Sequence, residues 1–237
     1  MKAVAKIHSA LDYFFPHACL ICGTHGSYLC DNCLVKLPVA IREVCPFCKR
    51  ESVLGLVCSA CKDGSNIRGC LQLAPYLSPD WQKILHHLKF QNLSSLAPII
   101  GQIMAEHLFS ATLQPRFEPF KNFLNHSPTL VTVPMHQNSF LKRPYNQVNL
   151  LAKPVAEKFG LEQKNILIKT RKTKEQVGLN RDDRLHNLYN AFRSEPSPKR
   201  ILLCDDVLTT GATINEAARV LKKAGAQTIW VLVFWYD

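Results

Sequence analysis

The sequence predicts an α/β protein, a parallel sheet flanked by helices, preceded by a small cysteine-rich module. Three observations carry this. From about residue 130 onward, apolar runs of strand length alternate with stretches of helical periodicity. That is the rhythm of a parallel sheet with right-handed crossovers. One apolar run, in ILLCDDVLTTGAT (Ile201 to Thr213), ends in two adjacent aspartates and a threonine- and glycine-rich turn. Ahead of all this, four C-x-x-C pairs fall within residues 19–61. With 237 residues and 47% hydrophobic content the chain buries a proper core, which excludes a disordered class.

The elements follow in order. Residues 1–18 predict a short helix with Val4, Ile7, Leu11 and Phe14 on one face. That face docks on the protein or, in the competing reading, attaches loosely to the inner face of the cytoplasmic membrane. Lys6, His8 and Asp12 interrupt any signal-peptide core, and no run of eighteen apolar residues exists. A cytoplasmic chain without a transmembrane segment is therefore expected. Residues 19–64 form the cysteine module, and Gly64-Ser65-Asn66 marks a boundary loop. It divides an N-terminal unit, 1–66, from a second, 67–237. Residues 70–75 suit a strand. Trp81, Ile84, Leu85 and Leu88 recur at helical spacing, and a second helix spans about 98–108 with Ile99, Ile103 and Met104. Residues 110–128, rich in proline and aromatics, suit a linking loop. Strands are expected at 130–133, 165–169, 201–204 and 227–234, with helices at 149–159 and 211–224, the last closed by Gly225.

The cysteine pairs are Cys19/Cys22, Cys30/Cys33, Cys45/Cys48 and Cys58/Cys61. Without a secretory signal, disulfides are the weaker explanation. Each pair supplies two thiolates to a tetrahedral ion, and two pairs close a four-thiolate site with no open position, so the zinc is structural. The arithmetic allows two ions and hence a double zinc ribbon. Pairing in sequence order gives stacked ribbons, crossed pairing interleaved ones, and the spacing allows both. Cys70 and Cys204 stand alone, Cys204 as a small core residue in a strand.

In open α/β sheets, ligands bind beyond the carboxyl ends of the strands. Asp205 and Asp206 are expected at such an end, followed by Thr209, Thr210, Gly211, Ala212 and Thr213 opening a helix. First-turn N–H groups and the helix dipole suit an anion. Two carboxylates beside a phosphate cradle describe a site for a ribose 5-phosphate. The net charge of +11 is uneven: residues 134–200 carry 14 basic and 6 acidic side chains, hence +8, and residues 1–70 carry +3. Such an excess points to phosphate-bearing partners or, more plainly, to a solvated basic surface.

ILLCDDVLTTGAT resembles the 5-phosphoribosyl-1-pyrophosphate (PRPP) signature of type I phosphoribosyltransferases. The C-x-x-C pairs, HHLKF (86–90), VPMHQNSFLKRPYNQVNLLA (133–152) and RKTKEQVGLNRDDRLHNLYNAF (171–192) stand in the order seen in the ComF/GntX family. The likeness covers nearly the whole chain. It implies a type I phosphoribosyltransferase-like fold in which Asp205 and Asp206 meet the ribose hydroxyls, with Mg2+ nearby, and 209–213 hold the 5-phosphate. It further implies a pyrophosphate loop carrying Lys142, Arg143, Asn146 and Gln147, and a basic closing loop carrying Arg171, Lys172, Lys174, Gln176 and Arg184. The several charges of PRPP need mobile cations that seal the site. His86 and His87 have either a catalytic or metal role or one of packing.

The resemblance also implies a link to natural competence: handling of incoming single-stranded DNA in transformation, with other competence proteins as partners. The alternatives are an active phosphoribosyltransferase with an unknown acceptor, or a PRPP-sensing regulator without catalysis. Two departures from the transferase pattern are expected. No C-terminal hood follows the last strand, so residues 71–128 or the zinc module must supply one. Glutamine amidotransferase activity is not expected, because the chain starts at Met1 and the early cysteines belong to the zinc pairs.

Overall fold

The computed structural model describes residues 17–91, 93–135, 145–171, 188 and 190–237. The predicted N-terminal helix lies outside them except for its last two residues. The elements are the short helices α1 (Asp31–Leu34) and α2 (Ser59–Lys62), then β1 (Gly69–Pro75), α3 (Pro79–Phe90), α4 (Leu96–Thr112), α5 (Glu118–Leu124) and β2 (Thr129–Thr132). There follow α6 (Gln147–Phe159), β3 (Gln163–Lys164), β4 (Leu167–Lys169), β5 (Phe192–Ser194), β6 (Arg200–Leu208), α7 (Ala212–Lys223) and β7 (Thr228–Tyr236).

Five strands form one sheet in the order β1-β7-β6-β2-β3. All four pairings are parallel, as the alternation of elements requires. Strand side chains alternate between faces, and β7 shows it: Trp230, Leu232 and Phe234 face one core, Ile229, Val231 and Val233 the other. The first core is covered by α3, α4, α5 and α6, which contribute Trp81, Leu88, Ile100, Phe120 and Leu151. The second is covered by α7, through Ile214, Ala217 and Leu221, and by the β4–β5 pair. Cys204 is fully buried in the first core, as expected of a small core residue.

Four expectations need correction. Residues 110–128 are not a plain loop: α4 runs on to Thr112, a 3-10 turn spans Pro115–Phe117 and α5 follows, with Phe117, Phe120 and Phe123 buried at a spacing of three. In α4 the fully buried face carries Ile100 and Met104, while Ile99 and Ile103 stay half-exposed. The expected strand at 165–169 is shortened to 167–169 and leaves the main sheet, whose edge strand lies just before it. Gln163–Lys164 joins the main sheet beside β2, whereas Leu167–Lys169 pairs antiparallel with Phe192–Ser194. The strand expected at 201–204 extends to Leu208, because β7 offers a partner as far as Tyr236. The closing glycine behaves as expected, Gly225 taking φ 118° after α7.

The cysteine-rich segment packs on the sheet itself. Leu29, Leu37 and Leu54 belong to the same core as Leu71, Trp81 and Trp230. Its backbone covers the outer edge of β1: Ala40 N–H donates to Leu73 O at 2.9 Å and Arg42 N–H to Gln72 O at 2.9 Å. The Trp81 indole N–H donates to Pro38 O at 2.8 Å. No helix among the described residues is long and apolar enough to cross a membrane.

Candidate functional site

The eight paired cysteines form two clusters in sequence order, Cys19/Cys22/Cys30/Cys33 and Cys45/Cys48/Cys58/Cys61. Within each, the Sγ atoms all lie within 4.8 Å of one another. Cys22 and Cys30 are 3.6 Å apart, Cys48 and Cys58 3.5 Å. Four sulfurs at about 2.3 Å from a tetrahedral zinc are separated by about 3.8 Å. Both clusters therefore fit a four-thiolate zinc, and the ribbons are stacked rather than interleaved.

Their proton affinities are uneven. The hydroxyl and backbone N–H of Thr24 pull Cys22 down to about 6. Burial opposes ionisation of Cys45, yet backbone N–H groups of Cys58, Cys48 and Phe47 hold it at about 6. Burial and neighbouring thiols push Cys33 and Cys61 up to about 12. A dication takes over the role of those protons, since a coordinating thiol is deprotonated outright. Elemental analysis of purified protein is expected to return two zinc ions per chain. Absence of zinc, with the thiols oxidised in pairs, would exclude the assignment.

The second site lies at the carboxyl end of the sheet. The last residue of β6 paired with β2 is Cys204, opposite Thr132. Asp205 and Asp206 therefore lie past the end of β2 but still inside β6, backed by β7. Sequence reasoning put them at the end of a strand closing at Cys204, and the longer β6–β7 pairing places them within it. Adjacent strand residues project to opposite faces, and their surroundings differ accordingly. Asp206 Oδ2 lies 3.1 Å from Lys89 Nζ at the end of α3 and accepts a hydrogen bond from Gln147 Nε2 at the start of α6. Asp205, 8% exposed, accepts from the Asp206 N–H at 2.9 Å and is electrostatically coupled to Lys169 of β4.

This splits the pair. Burial, then the Asp206 charge, raises Asp205 well above the ordinary carboxylate value. Burial works against Asp206 too, but the Lys89 ammonium and hydrogen bonds from Lys89, Val207 N–H and Gln147 hold it below that value. One strand thus presents two neighbouring carboxyls whose proton affinities their environments push in opposite directions. Burial lowers Lys169, with the Asp205 charge opposing.

Thr209 to Gly211 make the turn into α7, whose first residue is Ala212. Gly211 sits at φ 79°, a left-handed conformation that favours glycine. The N-cap, Gly211, has no side chain to cap the helix, and the Thr210 hydroxyl accepts from the Ala212 N–H at 3.5 Å. Thr209 is exposed, Thr210 and Thr213 half-buried, Gly211 and Ala212 buried.

Of the residues expected around the pyrophosphate, Gln147 is brought to Asp206, and its Oε1 is buried without a hydrogen-bond partner. Asn146 instead caps α6: its Oδ1 accepts from Val148 N–H at 3.0 Å and its Nδ2 donates to Val133 O at 3.2 Å. Arg171 is exposed, within electrostatic reach of Lys169. Lys142, Arg143, Lys172, Lys174, Gln176 and Arg184 lie outside the described residues. In HHLKF, it is Lys89 that meets Asp206. A His87 ring N–H donates to Lys83 O at 2.8 Å, and the His86 ring lies 5.2 Å from that of Phe90. Lys89 and Lys169 are the contributors that sequence reasoning missed. Lys89 stood in a quoted motif, whereas Lys169 gave no signal.

Comparison with known proteins follows the same division. A family model for a phosphoribosyl transferase domain matches residues 150–237, and one for a double zinc ribbon domain matches residues 10–63. The chain is 28% identical over 231 residues to competence protein F of Haemophilus influenzae, covering 86% of this chain and 95% of that protein. It is 27% identical to the DNA utilization protein YhgH of Escherichia coli O157:H7, covering 86% and 94%. To competence protein ComFC of Streptococcus pneumoniae it is 26% identical, covering 89% and 88%.

Proposed function

We propose that this chain, which belongs to the ComF/GntX family and joins a double zinc ribbon to a phosphoribosyltransferase domain, is a competence-associated protein that binds PRPP and handles incoming single-stranded DNA. The observation that carries the PRPP half is the carboxyl end of β6. Two carboxylates there stand directly ahead of the threonine- and glycine-containing turn that opens α7. Vicinal ribose hydroxyls meet the carboxylates and a 5-phosphate meets the 209–213 turn at the start of α7. Mg2+ accompanies the pyrophosphate as its counter-ion. The residues on hand to share it are Asp205 and Asp206, with cations of the 134–200 stretch around the phosphates.

Calorimetry with Mg2+-PRPP, ribose 5-phosphate and pyrophosphate as separate arms tests this. PRPP is expected to bind tighter than either fragment. At about 100 times its dissociation constant it should stabilise the fold by roughly 2.7 kcal/mol. No heat and no thermal shift with PRPP would overturn the reading.

The DNA half rests on charge and on the relatives' names. Residues 134–200 carry +8. Single-stranded DNA is expected to bind without sequence preference, with a log–log salt slope of about −0.7 per phosphate contact. Replacing Arg143, Arg171 and Lys172 by Ala should flatten that slope by roughly two to three contacts' worth. No measurable binding at low salt would remove direct DNA handling from the function.

The opposite environments of Asp205 and Asp206, one buried beside a like charge and one paired with Lys89, favour a second reading, active phosphoribosyl transfer to an acceptor. Release of labelled pyrophosphate with turnover supports it. PRPP binding without release leaves a binding protein.

A further inference from the structure

The second zinc loop touches the turn that opens α7. A Cβ placed on Gly211 would lie 3.0 Å from both Cδ1 and Cε1 of Phe47 and 3.5 Å from Pro46 O. Pro46 and Phe47 are the two residues between Cys45 and Cys48, both members of the second cluster. The exit from that cluster is tied to the same helix. In the first turn of α7, Asn215 Oδ1 accepts from the Asn66 backbone N–H at 2.9 Å and from its Nδ2 at 3.2 Å. Asn215 Nδ2 donates to Gly64 O at 2.9 Å. Gly64 to Asn66 begin three residues after Cys61. The 209–213 turn is thus flanked on both sides by the segment that carries the second cysteine cluster. The first cluster is placed differently. Its Leu20, Ile21 and Leu29 pack on the opposite core, and none of its hydrogen bonds among the described residues reaches the turn.

We propose that Phe47 is a positioning residue for the 209–213 turn. Zinc in the second cluster, acting through Phe47 and Asn215, sets how tightly that turn holds a ribose phosphate; zinc in the first does not. The inference rests on the PRPP reading above. Amides that bind a phosphate must be held in place beforehand. A turn containing a glycine at positive φ has conformational freedom to lose, and a ring in van der Waals contact removes it. When the loop loses its metal, the ring and the Gly64–Asn66 strap lose their anchor. The binding-competent turn is then one conformer among several, and affinity falls in proportion to its population.

The test compares the full-length zinc-loaded protein with Phe47→Ala, Phe47→Leu, Asn215→Ala, Cys48→Ser and Ile21→Ala. Ile21 occupies the place in the first zinc loop that Phe47 occupies in the second. Hydrogen exchange at residues 209–214 is read without ligand, and the PRPP dissociation constant separately. Phe47→Ala, Asn215→Ala and Cys48→Ser are expected to speed exchange at the turn and weaken PRPP about tenfold, as when a tenth of molecules stay competent. Phe47→Leu should restore most of both, and Ile21→Ala should change neither.

Unchanged exchange in Phe47→Ala, or an equal change in Ile21→Ala, overturns the proposal. If Cys48→Ser does not fold, the Phe47→Ala and Phe47→Leu exchange rates decide. The exchange arm also separates the two readings. Faster exchange in Phe47→Ala, in a wild type that binds no PRPP, keeps the clamp and sinks the ligand. PRPP binding that Phe47→Ala leaves intact sinks the clamp.

Discussion

Stripping zinc from the protein is expected to lower its melting temperature by about 10 °C or more and to bare the outer edge of the sheet. The cysteine-rich segment has little else to hold it. Its two helices span four residues each, Asp31–Leu34 and Ser59–Lys62, far below the length at which a helix persists unaided. Yet the segment contributes Leu29, Leu37 and Leu54 to the core that holds Leu71, Trp81 and Phe117. Burying each leucine is worth about 1.5–3 kcal/mol, so losing three costs roughly 5–9 kcal/mol. For a chain of this size each kcal/mol moves the melting temperature by about 2–4 °C. The edge of β1, freed of Ala40 and Arg42, would present unpaired backbone to other copies. Melting followed by circular dichroism, with zinc content measured on the same sample, checks this. A metal-free protein that melts within about 2 °C of the loaded one would show that packing alone holds the ribbons.

How much of this was legible in the sequence depended on the range of the chemistry. Thiol spacing is local, so both zinc clusters could be read, although only the coordinates resolve their pairing. Apolar runs located β1, β2, β6 and β7, since each crosses a buried sheet. The Pro115–Phe117 turn and helix α5 were hidden because Pro115 and Pro119 look like breakers, yet proline fits the first turn of a helix. The phenylalanines at 117, 120 and 123, running from that turn into α5, carried a faint period. The last residues of β6 were hidden because two carboxylates end an apolar run, and only the partner strand shows that pairing continues. Lys89 with Asp206, and Phe47 with Gly211, join segments far apart in sequence, which no periodicity records.

The two aspartates, neighbours in sequence, are expected to answer neutralisation with opposite changes in stability and the same loss of PRPP binding. Asp205 has its folded pKa raised by burial and by the Asp206 charge. The folded state therefore holds its proton more tightly than the unfolded chain, and stability falls as pH climbs from the ordinary carboxylate value through the raised one. Asp205→Asn removes that cost at neutral pH. Its side-chain oxygen can still accept from the Asp206 N–H, so the melting temperature should rise by several degrees near pH 7. The advantage should shrink as the medium becomes acidic and the native carboxyl is protonated anyway. Asp206 has its folded pKa lowered, with burial overcome by Lys89 and its hydrogen bonds. Its contribution is present above the ordinary carboxylate value and lost as pH falls through the lowered one. Asp206→Asn leaves Lys89, only 22% exposed, without its counter-charge, and should cost roughly 1.5–3 kcal/mol at pH 7, the range for a hydrogen bond to a charged group. Each variant removes a carboxylate from the ribose site, so each should weaken PRPP at least about a hundredfold, on the order of 3 kcal/mol. Melting curves between pH 4 and pH 8, roughly spanning the carboxylate range, with calorimetric titration at neutral pH, provide both readouts. Equal stability changes in the two variants would contradict the division between the carboxyls. Undiminished affinity in the double variant would remove PRPP from this site.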